Sequence, residues 1–180
     1  MCRIITDGPD EDNEKLVLVM VGAIAMARER LLIMTPYFIP PPELSSALQS
    51  AALRGVEVTV VLPERSNLRY VDWACRRWLK PLIEMGVHVF LQPPPFAHTK
   101  LLVMDGRYAQ IGSANLDSRS LRLNFEIAME VYDPTTCERL SRYITAARDK
   151  SQALTLGMLA AGNVWTRLRE SVCWLFSPYL

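Results

Sequence analysis

The chain has 180 residues, of which half are hydrophobic and 22% charged, with a formal net charge of +1. This composition excludes a disordered chain and shows no strong basic footprint for nucleic acid, although charge can still cluster on one face. One domain spanning residues 1–180 is expected, large enough to bury a core.

Residues 2–6 read as a short strand, broken by Gly8-Pro9-Asp10. Asp12 or Asn13 can cap a helix running to about Arg30. A buried strand follows over 31–35, then Pro36-Tyr37-Phe38-Ile39 and three prolines. Pro42 suits the first turn of a helix, and Gly55 suits its C′ end. A β-branched strand is expected over 56–62, a helix over 69–85 stopped by Gly86, and a strand over 87–91. Pro93-Pro94-Pro95 leads rigidly into two apolar runs, 101–104 and 108–111, separated by Asp105-Gly106. That dipeptide is a strong hairpin signal, because Gly takes the positive φ that a type I′ turn needs. A strand over 126–132 and helices over 135–150 and 157–174 complete the chain. Alternation of strand and helix implies right-handed crossovers. The expected fold class is α/β: a mixed, largely parallel sheet flanked by helices on both faces. Ligands in such sheets bind near strand ends, and Tyr37 could reach that rim.

Cys2, Cys75, Cys137 and Cys173 are scattered, with no C-x2-C pair and no nearby His to complete a zinc site, so buried free thiols are expected. No signal peptide and no apolar run of about twenty residues is evident. The chain is expected to be soluble or peripheral. The segment 156–180 carries Trp165, Trp174, Phe176 and Tyr179 beside Arg167 and Arg169. That pattern suits an amphipathic helix lying on a membrane, and still better an ordinary packing helix.

The densest chemistry lies in eighteen positions, His98-Thr99-Lys100 through Asp105 to Gly112-Ser113-Ala114-Asn115. A neutral imidazole is a competent nucleophile near pH 7. Lys is a compact cation that can hold a phosphate oxygen while charge shifts, and Ser and Asn can bond the remaining oxygens. His98 and Lys100, two apart on a strand, point to one face. With Asp105-Gly106 as a two-residue loop, Met104 pairs with Arg107, and counting back pairs His98 with Ser113. Opposed Cβ atoms lie roughly 5 Å apart, which gathers His98, Lys100, Ser113 and Asn115 around one point. A nucleophilic His needs its second ring nitrogen oriented, and Glu126 is the candidate for that role. Asp105 is balanced between a turn residue and a site residue. The other histidine, His88, has no such company and belongs to a strand. No carboxylate cluster or Cys/His set has metal-ligand spacing, so neither metal nor cofactor is expected.

The spacing H-x-K-x4-D-x6-G-S-x-N resembles the active-site motif of the phospholipase D superfamily, which counts His98, Lys100 and Asp105 in the motif and often has a Glu where Glu126 stands. Along its whole length the chain is similar to the C-terminal half of bacterial cardiolipin synthases, through Thr35-Pro36-Tyr37-Phe38-Ile39-Pro40, Ala52-Leu53-Arg54-Gly55-Val56-Glu57-Val58, the stretch Gly112 to Ser120, Asn124-Phe125-Glu126 and Leu175-Phe176-Ser177-Pro178-Tyr179-Leu180. The resemblance implies a phosphatidyltransferase that turns two phosphatidylglycerol molecules into cardiolipin and glycerol. It implies a phosphohistidine intermediate, no metal, a phospholipid substrate and a peripheral place at the bacterial inner membrane, or in the cytoplasm as the isolated domain. Those synthases carry two such motifs and an N-terminal membrane segment, whereas this sequence carries one motif. One imidazole attacks phosphorus and a second must protonate the leaving alkoxide. The expectation is therefore either a missing N-terminal half or a homodimer that shares one site across a two-fold axis. A homodimeric phosphodiesterase or nuclease, and a non-catalytic half-domain that binds lipid or a partner chain, are the alternatives.

Overall fold

The computed structural model describes residues 1–9, 14–161 and 173. Alternation along the central strands decides the architecture. Leu31 and Ile33 of strand β2 (Arg30–Met34) enter one core cluster, while Leu32 and Met34 enter another. Strand β4 (Glu57–Pro63) divides likewise, with Val58, Val60 and Leu62 on the first side and Val61 on the second. Apolar residues on both faces of a strand require cover on both faces. Helices α1 (Lys15–Met26), α2 (Pro42–Leu53) and α3 (Arg69–Glu84) supply the first layer, and α5 (Pro134–Arg148), through Cys137, Leu140, Ile144 and Ala147, supplies the second.

The main sheet has eight strands in the order β1-β9-β7-β6-β2-β4-β5-β10. Here β1 is Cys2–Asp7, β5 is His88–Gln92, β6 is Leu101–Met104, β7 is Tyr108–Gly112, β9 is Glu126–Val131 and β10 is Gln152–Ala153. A second sheet pairs two short strands, β3 (Phe38–Ile39) and β8 (Leu116–Asp117), next to helix α4 (Ser118–Leu123). The mixed α/β sheet with helices on both faces is thus as the sequence implies. Its parallel part is smaller than strand–helix alternation suggests: β2, β4 and β5 pair in parallel, and the other five pairings of the main sheet are antiparallel. The crossovers through α2 and α3 supply the two parallel pairs, and the β6–β7 hairpin supplies an antiparallel one.

Several ends fall where the residues demand. Gly55 and Gly86 hold φ of 89° and 94° just past α2 and α3, and Pro42 opens α2. Helix α1 departs from expectation at both ends. Asp12 and Asn13, the expected caps, lie outside the described residues, and Glu14 occupies the N-cap position without a side-chain cap. The helix also stops at Met26 rather than near Arg30. The backbone N–H groups of Arg28, Glu29 and Arg30 instead donate to the Asp105 carboxylate at 3.0, 3.0 and 2.8 Å. The helix expected over 157–174 begins as α6 (Leu156–Ala160), and the aromatic stretch beyond Ala161 lies outside the described residues except Cys173. Cys75 and Cys137 are buried as expected, whereas Cys2 is exposed at the start of the edge strand β1. No helix among the described residues is long and apolar enough to cross a membrane.

Candidate active site

The site assembles at the rim where the parallel strands end. Strand β6 runs antiparallel to β2, with Leu101 opposite Met34, so the segment preceding β6 emerges at the C-terminal edge of β2. Ser113 leaves β7 and Glu126 begins β9 at the same edge. His88 pairs with Thr59 near the start of β4, at the opposite rim, and takes no part.

The hairpin corrects the expected register. Asp105 and Gly106 adopt positive φ (51° and 65°), and Arg107 N–H donates to Met104 O at 3.0 Å, closing the turn. The ladder then pairs Met104 with Tyr108, not with Arg107. Arg107 and Tyr108 together oppose Met104, a bulge that adds one residue. Lys100 consequently faces Gly112, whose N–H donates to Lys100 O at 3.4 Å, and His98 is not directly opposite Ser113.

His98 and Lys100 do share a face. Lys100 Nζ lies 2.9 Å from Nδ1 and 3.3 Å from Nε2 of the imidazole, and donates to His98 O at 3.1 Å. Burial and the Lys100 charge both hold the imidazole below its ordinary pKa, which keeps it neutral and nucleophilic at pH 7. Burial also lowers the Lys100 ammonium, while the carboxylates of Glu126 and Asp117 act in the opposite sense. The His98 ring is flanked by Tyr37 at 6.1 Å, edge-on, and by Phe96 at 5.9 Å. Tyr37 in turn donates to Asn67 Oδ1 at 2.6 Å. Tyr37 reaches the rim as the sequence suggested. Phe96 was missed, and its only signal is its place in the rigid approach Pro93 to His98.

Glu126 sits differently from its expected role. It accepts hydrogen bonds from Ser113 Oγ, from Ser120 Oγ at 2.5 Å and from Asn124 Nδ2 at 3.2 Å, rather than from His98. It anchors the wall of the site. Ser120 Oγ also accepts the Asn115 backbone N–H at 2.9 Å, and Asp117 caps α4 by accepting Ser120 N–H at 2.7 Å. One buried carboxylate thereby ties the Gly-Ser-x-Asn segment to α4 and β9. Ser113 Oγ additionally accepts Ile127 N–H at 3.0 Å. Its hydroxyl is therefore committed to this scaffold, and Asn115 and Lys100 are the motif groups with polar chemistry to offer a phosphate. The approach of β7 to β9 explains Gly112: a Cβ there would stand 2.5 Å from Ile127 O and 3.0 Å from Ala128 Cα, so only glycine fits.

Asp105 stands apart from the His98–Lys100 pair. It lies at the far end of β6 from Lys100 and spends its carboxylate on the three backbone donors of 28–30. Burial pushes its pKa up, but those hydrogen bonds and Arg107 outweigh it and hold the carboxyl below the usual range. Asp117 goes the other way, pushed up to about 6, first by burial and further by Glu126. Among the described residues no group of three or more His, Cys, Asp or Glu is placed to hold a metal ion.

Residues 20–148 match the family model described as cardiolipin synthase, PLD-like domain. The chain is 36% identical to a cardiolipin synthase of Oceanobacillus iheyensis and 37% identical to cardiolipin synthase A of Proteus mirabilis, in each case over 99% of this chain and 37% of the relative. It thus spans little more than a third of those proteins. Its fold matches a phosphatidylserine synthase from Haemophilus influenzae (TM-score 0.78, 18% identity, 99% of this chain and 47% of that one). It also matches the phospholipase D family member Nuc from Salmonella typhimurium (TM-score 0.72, 20% identity, 86% of this chain and 99% of that one). The family model spans most of the sheet and the whole of the His98 to Asn115 motif, so the chain belongs to the phospholipase D-like family of cardiolipin synthases.

Proposed function

We propose that this chain is one half of a phosphatidyltransferase that moves a phosphatidyl group between alcohols through a phosphohistidine at His98, as in making cardiolipin and glycerol from phosphatidylglycerol. The observation that carries the reading is an imidazole held 2.9 Å from a lysine ammonium at a strand-end rim, beside the Asn115 segment. An imidazole nitrogen of His98 attacks phosphorus, and the bond from phosphorus to the leaving alcohol oxygen breaks. Lys100 and Asn115 bond the non-bridging oxygens as charge builds. The leaving alkoxide takes its proton from a second imidazole. An acceptor alcohol then gives its proton to that imidazole, attacks phosphorus and breaks the P–N bond.

His88 at the opposite rim cannot be that second imidazole, so it comes from another polypeptide segment: a second copy or the remaining part of a longer protein. A sheet face beside the site supports such a partner. Ile4 pairs with Met129 and Thr6 with Ile127 on β1 and β9, and Ile4, Ile127 and Met129 are exposed on a face that α5 covers only further along the sheet. Because the substrate is a bilayer lipid, the assembly works in peripheral contact with the inner membrane. A net charge of +1 favours a lipid phosphodiester over an extended nucleic acid. The test is to supply phosphatidylglycerol vesicles to the active assembly and to its His98→Asn variant. Formation of cardiolipin and glycerol by the first alone supports the reading. Equal rates in both, or hydrolysis of DNA with lipid untouched, contradict it.

A further inference from the structure

Next to the phosphate-facing residues the rim opens into a chamber of about 260 Å³, whose walls include Tyr37, Tyr70, Asn115, Asp117, Arg119 and Asn124. Only Asn115 belongs to the motif. Tyr37 and Asn115 are shared with the rim, since Tyr37 stacks edge-on to His98 and Asn115 stands in the Gly-Ser-x-Asn segment. A group bonded to a phosphorus atom held between His98 and Asn115 would therefore project into this space. The volume suits a small polar group, below the usual range for a whole drug-sized ligand.

The wall chemistry narrows the class. Asp117 offers carboxylate lone pairs, while Arg119, Asn124 and the Tyr70 hydroxyl offer donors. Hydroxyl groups, which both donate and accept, match such a mixed wall. The two charges offset each other, because Arg119 acts on Asp117 electrostatically. The chamber therefore presents neither a lone carboxylate for an ammonium head group nor a cluster of bases for a second phosphate.

We infer that this chamber is the alcohol subsite, binding a small uncharged polyhydroxy group through Tyr70, Asp117, Arg119 and Asn124. The inference rests on the phosphodiester reading of His98 and adds the residues that select the alcohol. The polyol can arrive as the head group of a phosphodiester or as a free alcohol, and the chemistry of recognition is shared.

The test uses the whole chain, isotopically labelled, followed by NMR. Three probes are titrated: glycerophosphoglycerol, the propyl diester in which a propyl group replaces each of the two glycerols, and free glycerol. The glycerol diester should bind about ten-fold more tightly than the propyl diester, the worth of one or two well-placed hydrogen bonds. Its shifts should extend from 98–100 to Tyr70, Arg119 and Asn124. Tyr70→Phe and Arg119→Ala should each shrink that preference while leaving propyl diester affinity unchanged, and the retained affinity shows that the fold is intact. Shifts at the same amides with free glycerol assign the site to the separate alcohol, and shifts with the diester alone assign it to the head group; either supports the subsite. Equal affinity for both diesters, with shifts confined to 98–100 and 113–115, overturns the inference and leaves the phosphodiester reading standing. No response at His98 to either diester overturns both.

Discussion

The Lys100 ammonium nitrogen stands 2.9 Å from Nδ1 of His98. Burial and this neighbouring charge lower the imidazole pKa together, burial being the larger cause. The neutral, nucleophilic form therefore persists to lower pH than for a free histidine at about 6.5. The acid limb of the activity profile of the assembly should fall below that value. In Lys100→Met the His98 pKa should rise, read by NMR titration of the ring protons, and remain under 6.5 because burial is retained. A drop on removing Lys100 would show that the two groups do not interact in this way. Turnover in the same variant should fall by about 10²–10³-fold, as for a lost transition-state donor.

Asp105 should act on stability and not on chemistry. Asp105→Ala removes the acceptor for three backbone N–H groups and places alanine at φ 51°. A loss on the order of 2–3 kcal/mol in denaturant unfolding is expected, with Asn substituting better than Ala. The folded pKa of this carboxyl is lowered, so its stabilisation is present above the unfolded value near 4 and is lost as pH falls through the folded one. In wild type, stability should therefore decline on acidification below about pH 4, and this part of the decline should be missing in the Ala variant. An Asp105→Asn protein with native stability and no activity would return Asp105 to the catalytic site.

Much of this architecture was legible because local chemistry and tertiary need agree. Gly55 and Gly86 stop helices where positive φ is required, and the near-continuous apolar runs of β2 and β4 announce a sheet buried on both faces. The unread parts depend on distant contacts. Nothing near Met26 ends α1; Asp105, almost eighty residues away, captures the amides that would have extended it. The bulge at Arg107–Tyr108 adjoins the same turn, and with it comes the register shift. Glu126 was legible as a neighbour of the motif, but its bond with Ser120 was not, because α4 is six residues long and carries no readable periodicity. The motif spelled out His98, Lys100 and Asn115, yet gave no sign that Ser113 and Ser120 would share one carboxylate.

Gly112 is predicted to tolerate no side chain. A methyl at this position meets the Ile127 carbonyl oxygen at 2.5 Å, and backbone cannot rotate away as a side chain can. Gly112→Ala should cost about 1–3 kcal/mol and displace Ser113 from Glu126, lowering activity beyond what the stability loss explains. Thermal unfolding and activity at a temperature where the variant remains folded separate the two effects. Native behaviour in both would contradict the close approach of β7 and β9.

The exposed face of β1 and β9 should mediate association. Ile127→Glu and Met129→Glu place charges on a surface that the sheet leaves open, so the folded chain should keep its stability. Sedimentation should show the wild-type chain self-associating, or joining the remaining part of a longer protein, and the charged variants failing to do so. Monomers in every case, with full transferase activity, would dismiss the shared site.

The most direct test is chemical capture of the intermediate. The active assembly is mixed with a phosphodiester substrate labelled in the phosphoryl group, quenched in base within one turnover, and digested. The account predicts an acid-labile phosphoramidate on the peptide containing His98, absent from His98→Asn, whose fold is kept because an exposed ring is replaced at similar size. Product formation at wild-type rates by His98→Asn, or turnover with label on another residue and none on His98, would contradict it.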